Sequence, residues 1–190
     1  MKKLIVLFPG VGYHNDKPLM YYTKRTARRY DYEIIDLSFD FSNAAKFIKG
    51  DEEAIRKVID VAASQAEDQL KDVRFSEYDR VTFAGKSIGT AVMAKYASAF
   101  GLEAEMIVFT PIAETFNYLE NCDEDKRCVV FHGSADPLID TELCVRLCEE
   151  KSLKYTVIPN ANHSLETGDV ETDIRILGNV MSDVDRILQY

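Results

Sequence analysis

The sequence is poor in positive charge and in long apolar runs, and each shortage excludes a class of protein. Its 190 residues carry 23 Lys and Arg against 32 Asp and Glu, which gives a net charge of −9. That balance argues against nucleic acid or an anionic membrane surface as the main partner. No apolar stretch approaches the roughly 20 residues of a membrane-spanning helix. We therefore expect no nucleic-acid partner and no membrane partner.

Cysteine is also sparse, and its spacing is not that of a metal site. The cysteines are Cys122, Cys128, Cys144 and Cys148. They form no Cys-x-x-Cys pair, and no two histidines stand at ligand spacing, so we expect no metal. We expect no cofactor either. The apolar run at residues 4–8 is too short for a signal peptide, and we therefore expect free thiols in a cytoplasmic protein.

Short apolar runs alternate with helical patterns along the whole chain, without an internal repeat or a linker. Strands are predicted at residues 4–8, 32–37, 80–84, 106–110, 128–132 and 155–158. Helices are predicted at residues 17–29, 51–70, 88–100, 140–151 and 170–188, with a loop at 38–50. This alternation predicts an α/β three-layer sandwich, in which a mainly parallel six-stranded sheet has helices on both faces. Residues 1–190 are expected to form one domain, with Asp16 and Asp51 as caps of the first two helices.

The third predicted strand leads directly into Gly85-Lys86-Ser87-Ile88-Gly89, a Gly-x-Ser-x-Gly sequence at a strand-to-helix corner. A serine on such a turn has strained backbone geometry and projects its hydroxyl above the sheet edge. The two glycines leave room for the bend. The following helix offers free N–H groups to a developing negative charge. The pattern indicates a nucleophile, and a tight turn with an incidental serine is the alternative.

Two more loops carry reactive side chains where predicted strands end. Asp136 follows the fifth strand, in His132-Gly133-Ser134-Ala135-Asp136-Pro137, and His163 follows the sixth, in Asn162-His163-Ser164-Leu165. In a parallel sheet, ligand sites form beyond the carboxyl ends of the strands. The order Ser87, Asp136, His163 is that of an α/β-hydrolase triad.

With these three motifs the chain resembles the α/β-hydrolase family, and in particular its small, lidless, dienelactone-hydrolase-like serine hydrolases. The resemblance covers nearly the whole chain, in a trimmed form that lacks the family's first two strands. It implies that Ser87 is the nucleophile, His163 the general base and Asp136 the residue that orients the imidazole. It also implies an oxyanion hole made by the backbone N–H groups of Val11 and Ile88.

The segment after the fourth strand, residues 111–126, is too short for the lid that many family members insert there. An open site suits a small soluble ester or thioester, which the triad would cleave through an acyl-enzyme intermediate. A small-molecule ester is thus the expected partner. The predicted substrate-binding residues are Gly10, Gly12, Tyr13, His14, Ile112, Phe116, Leu138 and Leu165.

Several neighbouring residues carry secondary expectations. His132 is expected to support the loop that bears Asp136, and Lys86 to point away from the nucleophile, beneath the sheet edge or into solvent. Thr90 stands where many family members have a glycine, a departure expected to leave the chemistry unaffected. The Asp136 carboxylate should raise the pKa of His163, while burial should lower it. We therefore expect kcat/KM to show an inflection between about pH 6 and 7.5.

Two alternative functions remain open on the sequence. Gly10-Val11-Gly12 after the first strand, with Asp36 at the end of the second, partly matches a dinucleotide-binding fingerprint, but Asn15 occupies the third glycine position. The other alternative is a non-catalytic hydrolase-like scaffold that binds a partner protein. A panel of ester substrates and a nucleotide-binding assay separate these possibilities from the hydrolase.

Overall fold

The computed structural model describes residues 1–42, 51–121 and 127–189, and six strands of these residues form one sheet. The strands are β1 (Lys3–Phe8), β2 (Tyr32–Asp36), β3 (Arg80–Lys86), β4 (Glu105–Phe109), β5 (Cys128–Gly133) and β6 (Lys154–Ile158). They are ordered β2-β1-β3-β4-β5-β6, and every neighbouring pair is parallel. All carboxyl ends therefore meet at one edge of the sheet.

Helices cover both faces, so the predicted three-layer α/β class is confirmed. The helices are α1 (Pro18–Arg29), α2 (Glu52–Leu70), α3 (Ile88–Phe100), α4 (Thr141–Glu150) and α5 (Val170–Gln189). One hydrophobic cluster joins the sheet to α2, α3 and α4, and a second joins it to α1 and α5. None of these helices is both long enough and apolar enough to span a membrane, within the described part of the chain.

The alternation of side chains along β3 decides which layer each residue meets. Phe83 packs in the cluster with α2 and α3, whereas Ala84 packs in the cluster with α1 and α5. Because successive side chains of a strand point to opposite faces, Lys86 lies on the same face as Ala84. That placement puts a lysine in the apolar layer beside α1 and α5.

Two local expectations needed correction. The N-cap of α1 is Lys17 and not Asp16, and Lys17 makes no side-chain capping bond. The Asp16 carboxylate instead lies 3.6 Å from the ammonium of Lys24. β3 also runs two residues further than predicted, because the ladder to β4 continues to Lys86.

Other local expectations are confirmed where the structure describes them. Asp51 caps α2, since its side chain accepts hydrogen bonds from the N–H groups of Glu53 and Ala54. Cys144 and Cys148 are buried free thiols on one face of α4. Cys122 and most of the predicted loop at 38–50 lie outside the described residues.

Candidate active site

Ser87 occupies the sharp turn between β3 and α3, with φ 56° and ψ −127°. A positive φ is strained for a residue with a Cβ and is held here by its surroundings. The N–H of Ser87 donates to the carbonyl of Phe109 at 3.0 Å. A Cβ on Gly89 would lie 2.2 Å from the carbonyl oxygen of Phe8, so only glycine lets α3 approach the end of β1 this closely.

The structure brings Ser87, His163 and Asp136 together in one hydrogen-bonded chain. The Oγ of Ser87 lies 2.8 Å from Nε2 of His163, and Nδ1 of His163 lies 2.7 Å from Oδ2 of Asp136. The other oxygen of Asp136 accepts the N–H of Leu138 at 2.9 Å. In the neutral tautomer with the proton on Nδ1, His163 donates to the carboxylate and accepts from the serine hydroxyl.

The loops that carry Asp136 and His163 are bonded to each other. The N–H of Ala135 donates to the carbonyl of Ala161 at 2.9 Å, and the Ser134 hydroxyl accepts the N–H of Asn160 at 2.8 Å. A Cβ on Gly133 would lie 2.2 Å from the carbonyl oxygen of Ala161, so this contact too requires glycine. The carboxylate and the imidazole are thus fixed relative to one another by backbone contacts.

Comparison with known proteins supports the same architecture. By sequence, no family model and no curated protein matches the chain. By structure, the chain is similar to a lidless α/β serine hydrolase of Xanthomonas campestris, with a TM-score of 0.54 and 18% identity over 99% of this chain and 83% of that one. It is also similar to Est1E of Butyrivibrio proteoclasticus, with a TM-score of 0.66 and 13% identity over 98% and 86%. The protein has the α/β-hydrolase fold.

A second structure of Est1E, with ferulic acid bound, has a TM-score of 0.60 and 15% identity over 99% of this chain and 88% of that one. The likeness extends over nearly the whole length of both proteins. It confirms the α/β-hydrolase architecture that the three sequence motifs predicted. Because the sequence identities are this low, the structural similarity shows the fold alone.

Burial and hydrogen bonding act in opposite directions on the two ionisable groups of this site. Burial raises the pKa of Asp136, but hydrogen bonds from His163 and from the N–H of Leu138, together with the charges of His163 and His132, outweigh it and leave that pKa below its usual value. Burial lowers the pKa of His163, Asp136 opposes this, and the charge of Lys86 lowers it further. An ionised carboxylate beside a neutral imidazole is therefore the favoured state near neutral pH.

Both effects expected at His163 are present, and the structure adds their balance, because burial outweighs the neighbouring carboxylate and leaves the pKa below its usual value. The sequence places a carboxylate beside the histidine but does not show that the imidazole side chain is only 22% exposed. Taking a charged ring out of water disfavours its protonated form.

Both N–H groups predicted for the oxyanion hole are free of backbone partners within the described residues. Ile88 is the first residue of α3, so its N–H has no acceptor in the helix. In the loop after β1, the N–H of Gly10 donates to the carbonyl of Tyr13, and the N–H of Tyr13 donates to the carbonyl of Gly10. The N–H of Val11 takes no part in these two hydrogen bonds. A Cβ on Gly10 would lie 3.1 Å from the Cβ of Ser87, so this loop runs directly past the serine.

The predicted substrate-binding residues divide into buried and exposed groups. Gly10, Tyr13, Ile112, Phe116 and Leu165 are buried, which leaves them little surface to offer a ligand. Gly12, His14 and Leu138 are exposed, and Leu138 keeps 47% of its surface. The sequence shows which loops reach the site but not which of their side chains turn inward.

Tyr13 shows why a residue expected on the wall is buried instead. Its hydroxyl accepts the N–H of Leu19 at 3.1 Å, which ties the ring to the start of α1. Its ring lies against the ammonium of Lys86, 4.9 Å from the ring centre. The ring is therefore held inside the layer beneath the sheet edge.

Thr90 has a role that the sequence analysis missed. Its hydroxyl donates to the carbonyl of Ser87 at 2.6 Å and accepts from the hydroxyl of Thr115 at 2.7 Å. Both threonines are fully buried. The sequence signal was present, since a threonine in a helix can bond the carbonyl three residues before it. A hydroxyl here fixes the strained turn, which a glycine would not do.

His132 is placed as expected, beside the loop that carries Asp136. Its Nε2 lies 3.0 Å from the hydroxyl of Thr141, and its Nδ1 lies 4.0 Å from Oδ2 of Asp136. The ring is 1% exposed, so it does not meet substrate. Lys86 is also buried, at 1% exposure, which excludes the solvent-facing orientation.

Proposed function

We propose that the protein is a serine hydrolase that cleaves a small soluble ester or thioester through an acyl-enzyme intermediate. The observation that carries the proposal is the pair of hydrogen bonds linking Ser87, His163 and Asp136, at 2.8 and 2.7 Å. A serine hydroxyl is a weak nucleophile unless a base within hydrogen-bond distance takes its proton. The neutral imidazole of His163 meets that condition.

In the first half-reaction, Oγ of Ser87 would attack the carbonyl carbon while its proton passes to Nε2 of His163. The carbonyl oxygen becomes an oxyanion, which the N–H groups of Ile88 and Val11 would bind. His163 then returns the proton to the leaving alcohol or thiol as the carbon–oxygen or carbon–sulfur bond breaks. The acyl group remains on Ser87 as an ester.

In the second half-reaction, a water molecule replaces the leaving group. His163 would take a proton from water as the water oxygen attacks the acyl carbon. Collapse of the second tetrahedral intermediate releases the acid and returns the proton to Ser87. Throughout, the buried Asp136 carboxylate holds the imidazole tautomer and stabilises the imidazolium that forms.

The proposal of a small substrate is supported by the short connection that follows β4 in the part of the chain that the structure describes. Between β4 and residue 121 the described chain forms one short helical turn, Ala113–Asn117. Two residues of that turn, Thr115 and Phe116, are buried. The similar structures support the proposal, because one is a lidless serine hydrolase and Est1E was captured with ferulic acid.

Among the residues that the structure describes, nothing favours the two alternative functions. Asn15, at the third glycine position of the dinucleotide fingerprint, is buried and donates its side-chain N–H to the carbonyl of Leu37 at 2.9 Å. That contact is structural. A scaffold that only binds a partner protein would leave the bonded serine, histidine and aspartate without a role.

The decisive experiment is covalent labelling with a fluorophosphonate, followed by mapping of the adduct by mass spectrometry. The label should lie on Ser87, and Ser87→Ala should lose the label and at least about 10³-fold of its activity on p-nitrophenyl acetate. Ser98→Ala is a matched control, since Ser98 is exposed on α3. An adduct on another residue, or a folded Ser87→Ala with near wild-type activity, would refute the proposal.

A further inference from the structure

Lys86 is a buried lysine that the proposed chemistry does not use. It is the last residue of β3, it precedes Ser87 directly, and it is 1% exposed. Its ammonium lies over the ring of Tyr13, and it takes part in no ion pair among the described residues. Burying a charge without a paired carboxylate is costly. Such a residue needs a physical explanation.

Lys86 directly precedes Ser87, whose hydroxyl lies 2.8 Å from Nε2 of His163, so the buried lysine and the imidazole are joined through a single residue. The ionisable groups around Lys86 come from three loops. Tyr13 lies on the loop after β1, Asp136 on the loop after β5, and Glu166 and His163 on the loop after β6. Burial raises the pKa of Tyr13 to about 12, so this phenol stays neutral and offers only its ring face. The two carboxylates attract the ammonium, and the imidazole is a second base in the same cluster.

Burial outweighs the attraction of the carboxylates. It lowers the pKa of Lys86 from 10.5 to about 7, and Asp136 and Glu166 only partly offset this. Two bases that share a buried cluster disfavour each other's charge and titrate as a coupled pair. Besides Lys86, the groups acting on His163 are Asp136, which favours imidazolium, and His132, which disfavours it.

We propose that Lys86 is a positioning residue that acts through His163, because its buried positive charge keeps the imidazole neutral in more acidic solution than burial alone would allow. The catalytic consequence rests on the proposed function, whereas the electrostatic coupling does not. A base of lower proton affinity is also a stronger acid once it is protonated. Lys86 therefore favours return of the proton to the leaving group.

The aliphatic part of the side chain could instead act only as packing, and methionine separates the two roles. Met replaces the lysine stem with an apolar chain of similar length and no charge, whereas Arg keeps the charge at every accessible pH. The matched control is Lys24→Met. Lys24 is also buried, but it pairs with Asp36 at 2.8 Å on the α1 side of β2.

The experiment is an NMR titration of the His163 imidazole in the wild type, Lys86→Met, Lys86→Arg and Lys24→Met, with the signal assigned by its loss in His163→Gln. The His163 titration should move to higher pH in Lys86→Met, should not rise in Lys86→Arg, and should match the wild type in Lys24→Met. An unmoved or lowered titration in Lys86→Met would overturn the proposal.

The pH dependence of fluorophosphonate labelling gives a second readout, on function. Below the inflection, Lys86→Met should label more slowly than the wild type, by about tenfold for each pH unit that the His163 titration has moved. A moved titration without labelling at any pH would support the coupling and refute the hydrolase. Normal labelling with an unmoved His163 titration would support the hydrolase and refute the coupling.

The wild type provides a test that depends on no variant folding. In protein carrying [¹³Cε]-lysine, the Lys86 signal should titrate near neutrality, and the His163 signal should show a smaller second step at the same pH. This reciprocity is required of coupled sites. A Lys86 signal that titrates without any step at His163 would overturn the proposal.

Discussion

Replacing Lys86 by methionine should stabilise the folded protein at neutral pH. Burial lowers the pKa of Lys86 from 10.5 to about 7, so the folded state resists a protonation that the unfolded chain accepts freely. At about 1.4 kcal/mol per pH unit, that difference costs the wild type on the order of 4 kcal/mol of stability at pH 7. The variant also loses the contact between the ammonium and the Tyr13 ring, which costs it about 1–2 kcal/mol of stability.

The expected net gain in Lys86→Met is therefore about 2–3 kcal/mol at pH 7, which for a chain of this size raises Tm by about 4–12 °C. The sign depends on pH in a defined way. Between about pH 7 and 10.5 the unfolded state binds more protons at residue 86 than the folded state, so the contribution of this residue to wild-type stability rises with pH through this window. The gain in folding stability of Lys86→Met over the wild type should therefore shrink as the pH rises through this window.

Urea unfolding of both proteins at several pH values between about 6 and 9 measures this difference directly. Taking the difference between wild type and variant cancels the titration of all other groups that the substitution leaves unchanged. Lys24→Met is the control, because it breaks the ion pair with Asp36 and should show no such gain. A Lys86→Met protein that is less stable at pH 7, or whose advantage is the same at pH 7 and 9, would refute the reasoning.

Three further predictions concern the proposed reaction. The kcat/KM profile should rise through an inflection on the acid side of 6.5, because burial lowers the pKa of His163; an inflection above 6.5 would contradict this. Asp136→Asn should reduce kcat/KM by on the order of 10³–10⁴-fold, by favouring the wrong imidazole tautomer, and a small loss would assign Asp136 another role. With p-nitrophenyl esters, turnover should fall steeply from acetyl or butyryl to longer acyl chains, because the described residues form no lid that would enclose an acyl tail. A maximum at about ten carbons would contradict this prediction.

The sequence was sufficient for the fold and for the grouping of Ser87, Asp136 and His163, for one physical reason. Each of these residues follows the end of a short apolar run, and alternation with helices implies that the runs are parallel. Parallel strands bring their carboxyl ends to one edge, so residues far apart in the chain must meet there. Residues that follow successive strands in the sequence are therefore neighbours in the folded protein.

What the sequence could not supply depends on burial. Tyr13 and Phe116 were expected on the wall of the site but pack inward, since the rotation of a loop or a short helical turn is not encoded in local spacing. The sequence named both effects on the pKa of His163, but deciding which of them is larger needed the same information. The buried position of Lys86 could have been predicted, because β3 alternates between two buried faces. It was not, because the strand was predicted to end at Ala84. Two more residues of strand would have placed the lysine on the face of Ala84.

The two effects expected of Lys86 have one cause, and that makes them testable together. The charge that destabilises the folded state is the same charge that keeps His163 neutral, so a substitution cannot remove one effect and retain the other. Near pH 8, stability should increase in the order Arg, Lys, Met at position 86, because arginine stays charged where lysine is becoming neutral. The pH at which His163 titrates should increase in the same order. If stability followed this order while the His163 titration did not, Lys86 would be a buried charge without influence on the base.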